Sequence, residues 1–171
     1  LLGTTTADTK GAFSFTPSAA IEDGNYSIKA NSTDSAGNIS SKSSSISITI
    51  DTTAPDAPTS LATSSSITNN SKPTITGNAE ANTKVTLFID SSVLGTTTAN
   101  TKGAFSFTPS FPIEDGNYSL KATSTDSAGN ISSKSASISI TIDTTAPDAP
   151  NSLATSSSIT NNSKPTITGN A

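Results

Sequence analysis

Residues 1–79 and 93–171 are the same sequence at all but eight positions, namely 1, 8, 19, 20, 28, 31, 44 and 59. Gly3 aligns with Gly95, Pro17 with Pro109 and Asp51 with Asp143, which fixes an internal period of 92 residues. The folding unit must therefore close within one period and be joinable to a copy of itself. Helical solenoids and propeller blades repeat every ~20–50 residues, too short for this period. It matches a whole β-sandwich domain of roughly 100 residues. Copies this similar suit a role in which the number of units matters more than differences among them, as in a spacer.

The division that follows is a C-terminal part of a first unit over 1–50, a complete unit over 51–142 and an N-terminal part of a third over 143–171. The chain reads as a slice of something longer. Within the complete unit, period-2 alternation predicts strands. Val85, Leu87 and Ile89 take one face while Thr86 and Phe88 take the other. Tyr118, Leu120 and Ala122 alternate with Ser119, Lys121 and Thr123, and Ile138, Ile140 and Ile142 with Ser139 and Thr141. Adding strands at 60–62, 73–77, 93–98 and 104–108, with Phe105 and Phe107 anchoring the core, gives seven. No stretch has the i, i+3, i+4 spacing of an amphipathic helix, and Ser and Thr suit exposed strand faces better than helix interiors. The expected fold is all-β: seven-stranded antiparallel sandwiches joined end to end. A disordered Ser/Thr linker would not explain the regular isoleucines.

Apolar residues make up 31% and aromatics 5% of the chain, so each unit buries a small core and needs support. With no cysteine, that support is neither a disulfide nor a thiolate metal site. The absence of histidine removes the commonest general base and any Ser-His-Asp arrangement. Adjacent acids such as Glu114 and Asp115 seldom converge on one substrate atom, and the expectation is a protein that is not an enzyme. Thirteen acids oppose nine bases, all lysine, for a net charge of −4. That balance argues against nucleic acid. No apolar run approaches the ~20 residues of a membrane span.

Each unit is followed by the same eight residues, Asp-Thr-Thr-Ala-Pro-Asp-Ala-Pro, at 51–58 and again at 143–150. Two prolines fix φ and favour extended backbone before them, making a semi-rigid spacer. In a sandwich with an odd number of strands the chain enters at one pole and leaves at the other. The entry pole of the complete unit then gathers Asp51 and Asp56 of the linker, Glu80 of the B–C loop, and Asp126 with Asn130 of the F–G loop. Above them lies the preceding unit's E–F loop with Glu22 and Asp23. The next junction repeats the set as Glu114, Asp115, Asp143 and Asp148. Calcium takes about six to eight oxygen ligands from such groups, so the expected cofactor is Ca2+, held at the junctions and stiffening them. The bland alternative is that Asp126–Asn130 and Asp115–Asn117 are only turns, in which Asp, Gly and Asn are favoured. Tyr118 reads as a structural tyrosine whose hydroxyl bonds to backbone.

Four motifs, Asp51-Thr-Thr-Ala-Pro, Ile75-Thr-Gly-Asn-Ala-Glu, Asp115-Gly-Asn-Tyr and Thr125-Asp-Ser-Ala-Gly-Asn, resemble the bacterial immunoglobulin-like repeats of giant, type I secreted adhesins of the RTX and biofilm-associated kind. The resemblance covers the whole chain. It implies an extender array on the bacterial surface, with calcium at the junctions and a separate adhesive tip. By the motif match the junction ligands fall on Asp51, Glu80 and Asp126. The implied partners are neighbouring repeats, with surface glycans or proteins engaged by other domains. Two other readings compete. The repeats could bind a glycan or host protein through an exposed sheet face; Phe111 is the best candidate contact, although its counterpart is Ala19. The partial end copies could also complete each other in a filament.

Overall fold

The computed structural model describes residues 1–171 and is all-β, with no helix. The first part contributes β1 (Gly24–Ile28) and β2 (Ile46–Ile50), paired antiparallel. The complete unit holds β3 (Thr59–Thr63), β4 (Ile67–Thr68), β5 (Ile75–Asn78), β6 (Lys84–Ile89), β7 (Ser92–Thr98), β8 (Ala104–Phe107), β9 (Gly116–Thr125) and β10 (Ile138–Ile142). The last part adds the antiparallel pair β11 (Asn151–Thr155) and β12 (Ile167–Asn170).

Two sheets make the sandwich of the complete unit. One has the order β4-β10-β9-β6-β7 and the other β3-β5-β8. Alternation decides what lies between them. Val85 and Leu87 of β6, Leu120 and Ala122 of β9, Ile140 and Ile142 of β10, and Ile75 and Phe105 of the facing sheet are all buried, with Ile89 and Phe107 packed against them. Phe105 lies across Gly77, its register partner, so closely that a Cβ there would sit 2.6 Å from the ring. Glycine thus leaves room for one large aromatic in a small core.

The strand expected at 60–62 is present as β3, and a further two-residue strand, β4, follows it. β3 pairs antiparallel with β5, whereas β4 crosses to the other sheet and runs parallel to β10. Between them Thr63 Oγ1 donates to the Ser65 carbonyl and Ser65 Oγ to the Ile67 carbonyl. Short hydroxyl side chains bonding their own backbone compete with ladder pairing, and the strand breaks there. The unit therefore has eight strand segments rather than seven.

Serine also works inside the sandwich. β10 begins only at Ile138, and before it the chain runs beside β9 as irregular backbone. Ser132 and Ser135, both buried, donate their N–H groups to the Ser124 and Ala122 carbonyls, while their hydroxyls accept the N–H groups of those same residues at 2.9 and 3.0 Å. A hydroxyl takes the place of a ladder carbonyl twice. The Ser/Thr content serves the interior as well as the exposed faces.

Candidate functional site

The linker at 51–58 is held from both sides. On the side of the preceding unit, pairing of Gly24 with Ile50 brings Asp23 level with the residues that follow β2. The Asp23 carboxylate accepts the Thr52 N–H at 3.0 Å, the Thr52 hydroxyl at 2.9 Å and the Thr53 hydroxyl at 2.9 Å. These bonds, the Thr52 hydroxyl foremost, lower its pKa below the ordinary 3.8. Asp115 does the same for the next linker, accepting the Thr144 N–H and hydroxyl and the Thr145 hydroxyl.

On the side of the following unit the grip comes from the F–G loop and β9. Asn130 Nδ2 donates to the Asp51 carbonyl and to Asp126 Oδ2, both at 2.9 Å. Asp126 Oδ1 accepts the Gly129 and Asn130 N–H groups, closing the loop as a turn. The Asn130 amide, followed by the loop N–H groups, lowers the Asp126 pKa. Farther along, the Ser124 hydroxyl donates to the Asp56 carbonyl at 3.2 Å. Pro55 and Pro58 are buried, whereas their counterparts Pro147 and Pro150 are exposed. The prolines at 55 and 58 are thus packed parts of the following domain as well as stiff spacers.

The remaining expected site residues fall into smaller groups. Asp51 and Asp143 each accept the N–H two residues on, from Thr53 and Thr145. Asp56 and Glu80 line a shared cleft of ≈ 310 Å³ with Ala57, Thr59, Asn78 and Ala79. Asp115 and Glu114 line another, of ≈ 480 Å³, with Thr144. Carboxylate, amide and carbonyl oxygens are the right donors for a hard cation, but they are gathered in twos, and no three acidic side chains are brought together. Tyr118 behaves as expected, its hydroxyl donating to the Glu114 carbonyl at 3.1 Å.

The sequence pattern does not single out Thr52, Thr53, Thr144, Thr145 or Ser124, although four of them make the Asp23 and Asp115 contacts. A signal was present: an Asp-Gly before one strand and an Asp-Thr-Thr after its antiparallel partner must meet at one sheet end.

A family model described as the bacterial Ig-like domain matches residues 1–52 and 54–144. The chain belongs to the bacterial Ig-like domain family. Its units are therefore Ig-like sandwiches, in keeping with the two-sheet order above. Among solved structures, a four-repeat segment from the extending region of a large adhesion protein is 22% identical, with a TM-score of 0.45 over 81% of this chain and 40% of that one. The BSP domain of a biofilm-associated protein is 23% identical, with a TM-score of 0.42 over 74% of this chain and 20% of that one. This chain spans less than half the length of either. No curated protein matches it.

Proposed function

We propose that this bacterial Ig-like chain is a non-catalytic extender segment of a surface adhesin, its units divided at 50/51 and 142/143, holding a distal binding domain away from the cell. One observation carries the reading. Linker residues 51–56 are bonded to the unit before them by Asp23 and to the unit after them by Asn130 and Ser124. A linker with partners on both sides cannot swivel without breaking them, and a chain of such junctions is a rod. The near-identity of the copies and the names of the two solved relatives, one an extending region, are in accord with it. An extracellular location at the bacterial surface goes with this role.

Calcium belongs to the same proposal. Asp51, Asp56, Glu80 and Asp126 would hold it at the entry pole, and Asp23, Asp115, Asn130 and Asp143 are the remaining oxygen donors of the two junctions. The ion would supply a cross-link between units, and a weak extracellular-type site would fill only after export. The hydrogen-bonded linker gives the junction an order of its own, to which calcium would add.

Small-angle X-ray scattering of two complete repeats tests the reading, with calcium and with chelator, beside a variant carrying Asp23→Ala and Asn130→Ala at the shared junction. An elongated particle that shortens in the variant supports the rod. A particle equally compact and variable in both would refute it. Calcium that changes neither shape nor melting would remove the ion from the proposal and leave the braced linker.

A further inference from the structure

Charge is sorted by position in the complete unit. Its acids lie in the linker and loops, at Asp51, Asp56, Glu80, Asp90, Glu114, Asp115 and Asp126. The sheet β3-β5-β8 bears no charged residue. The only charged residues within strands are Lys84 of β6 and Lys121 of β9, both in the five-stranded sheet. In a chain of net charge −4, one sheet face is cationic.

The register shows what surrounds these lysines. Leu87, Leu120 and Ala122 face the core, so Phe88 and Lys121 face outward. They are cross-strand partners, and on its other side Phe88 pairs with Val93 of the edge strand β7. Such partners sit about 5 Å apart. Val93 is 63% exposed. From the segment before β10, the Lys134 ammonium lies 4.5 Å from the centre of the Phe88 ring. Lys84 stands on the same face of β6, about 13 Å along the strand from Phe88. The result is an aromatic ring beside an exposed valine, flanked by ammonium groups, on a face whose strands carry no carboxylate; Asp90, the residue after β6, lies two positions from Phe88, and its carboxylate accepts the Ser119 N–H at 2.9 Å.

We propose that this face binds an anionic polysaccharide. Ammonium groups pair with its carboxylates or sulfates, while Phe88 and Val93 pack against the apolar face of a sugar ring. The Thr86 and Thr96 hydroxyls, which share the face by register, bond sugar hydroxyls. Lys29 and Lys42 stand where Lys121 and Lys134 stand one period later, so the lysine pair recurs along the array. Weak single contacts then add through multivalency. This site is separate from the junctions and does not depend on their rigidity.

The test titrates the 171-residue chain with alginate, dextran sulfate and neutral dextran at low salt and at about 0.5 M salt, where exposed charge contacts are screened. Binding is followed by amide NMR shifts. Alginate or dextran sulfate is expected to shift the amides of β6 and β9 around Phe88 and Lys121 at low salt only, and neutral dextran to shift none; which anion binds more tightly separates carboxylate from sulfate recognition. Lys121→Gln with Lys134→Gln is expected to weaken binding about fivefold, the sum of two modest exposed contacts. Lys72→Gln with Lys102→Gln, an equal charge change away from this face, is expected to leave it unchanged. Equal losses in the two variants, no binding of either polyanion, equally tight binding of DNA, or self-association through this face in light scattering would each overturn the proposal. A matching melting temperature for each variant shows that lost binding is not lost folding.

Discussion

Ser132 and Ser135 offer a sharp test of how so small a sandwich is held together. Each hydroxyl accepts one β9 N–H, from Ser124 and Ala122, and these bonds are buried. Alanine removes the acceptor and leaves the N–H with no partner. An orphaned buried donor costs about 1–3 kcal/mol. The hydroxyls also donate to the Ser133 and Ala136 carbonyls, but those residues are exposed, so water can replace that bond. The cost therefore comes almost wholly from the N–H. For a unit of this size it corresponds to a fall in Tm of about 4–8 °C per kcal/mol. The same segment supplies the control. Ser133 and Ser137 are exposed, and alanine there is expected to change stability by less than ~0.5 kcal/mol. Urea unfolding of the four single variants, followed by circular dichroism, reads the difference, with the midpoint moving and the slope constant. If Ser132→Ala and Ser135→Ala cost no more than Ser133→Ala and Ser137→Ala, the reasoning that a hydroxyl substitutes for a ladder carbonyl is wrong.

Three further predictions follow from particular contacts. The Asp115 pKa is lowered chiefly by the Thr144 N–H and then by the Thr144 and Thr145 hydroxyls, as that of Asp23 is by Thr52 and Thr53. A carboxyl depressed in the folded state contributes stability that is present above 3.8 and lost as pH falls from there through the lowered value. The amide shifts of Thr52 and Thr144 should therefore titrate with midpoints below 3.8; a midpoint at or above it would contradict the assignment. Gly103→Ala is expected to cost more than the ~1–2 kcal/mol of a left-handed residue, because φ is +82° and the new Cβ would lie 2.5 Å from the Ala79 carbonyl oxygen. Gly129→Ala, at φ +98° with nothing nearby, is expected to show the backbone cost alone in the same unfolding assay. Leu87→Ala removes a fully buried side chain and is expected to lose about 2–5 kcal/mol, with a loss below ~1 kcal/mol showing that the two sheets collapse onto the gap.

The fold was legible where alternation is strong. Val85-Thr-Leu-Phe-Ile89 and Ile138-Ser-Ile-Thr-Ile142 each put alternate residues on one face, and both strands lie where the pattern places them. Loop gathering was legible too, since Asn130 does reach the incoming linker at Asp51. The break between β3 and β4 was not, because Thr63-Ser-Ser-Ser66 has no apolar period to read and its course is decided by local hydroxyl bonds. Nor was the inward use of Ser132 and Ser135, since serine alone does not tell an exposed strand position from a buried acceptor. At the junction, sequence grouped the acids by pole but gave no view of their hydrogen-bond partners. A carboxylate seeks the nearest donors, and Asp23 and Asp115 find threonines two and three residues past a strand end.

The central claim is that the linker is braced by the domains on either side of it. Backbone 15N relaxation of Thr52, Thr53, Asp56 and Ala57, recorded in chelator so that no ion contributes, measures this directly. The account predicts order parameters near those of β6 and β9, about 0.85. Values below about 0.6 would mean a mobile hinge between independent domains, and the rod would have to come from something other than these hydrogen bonds.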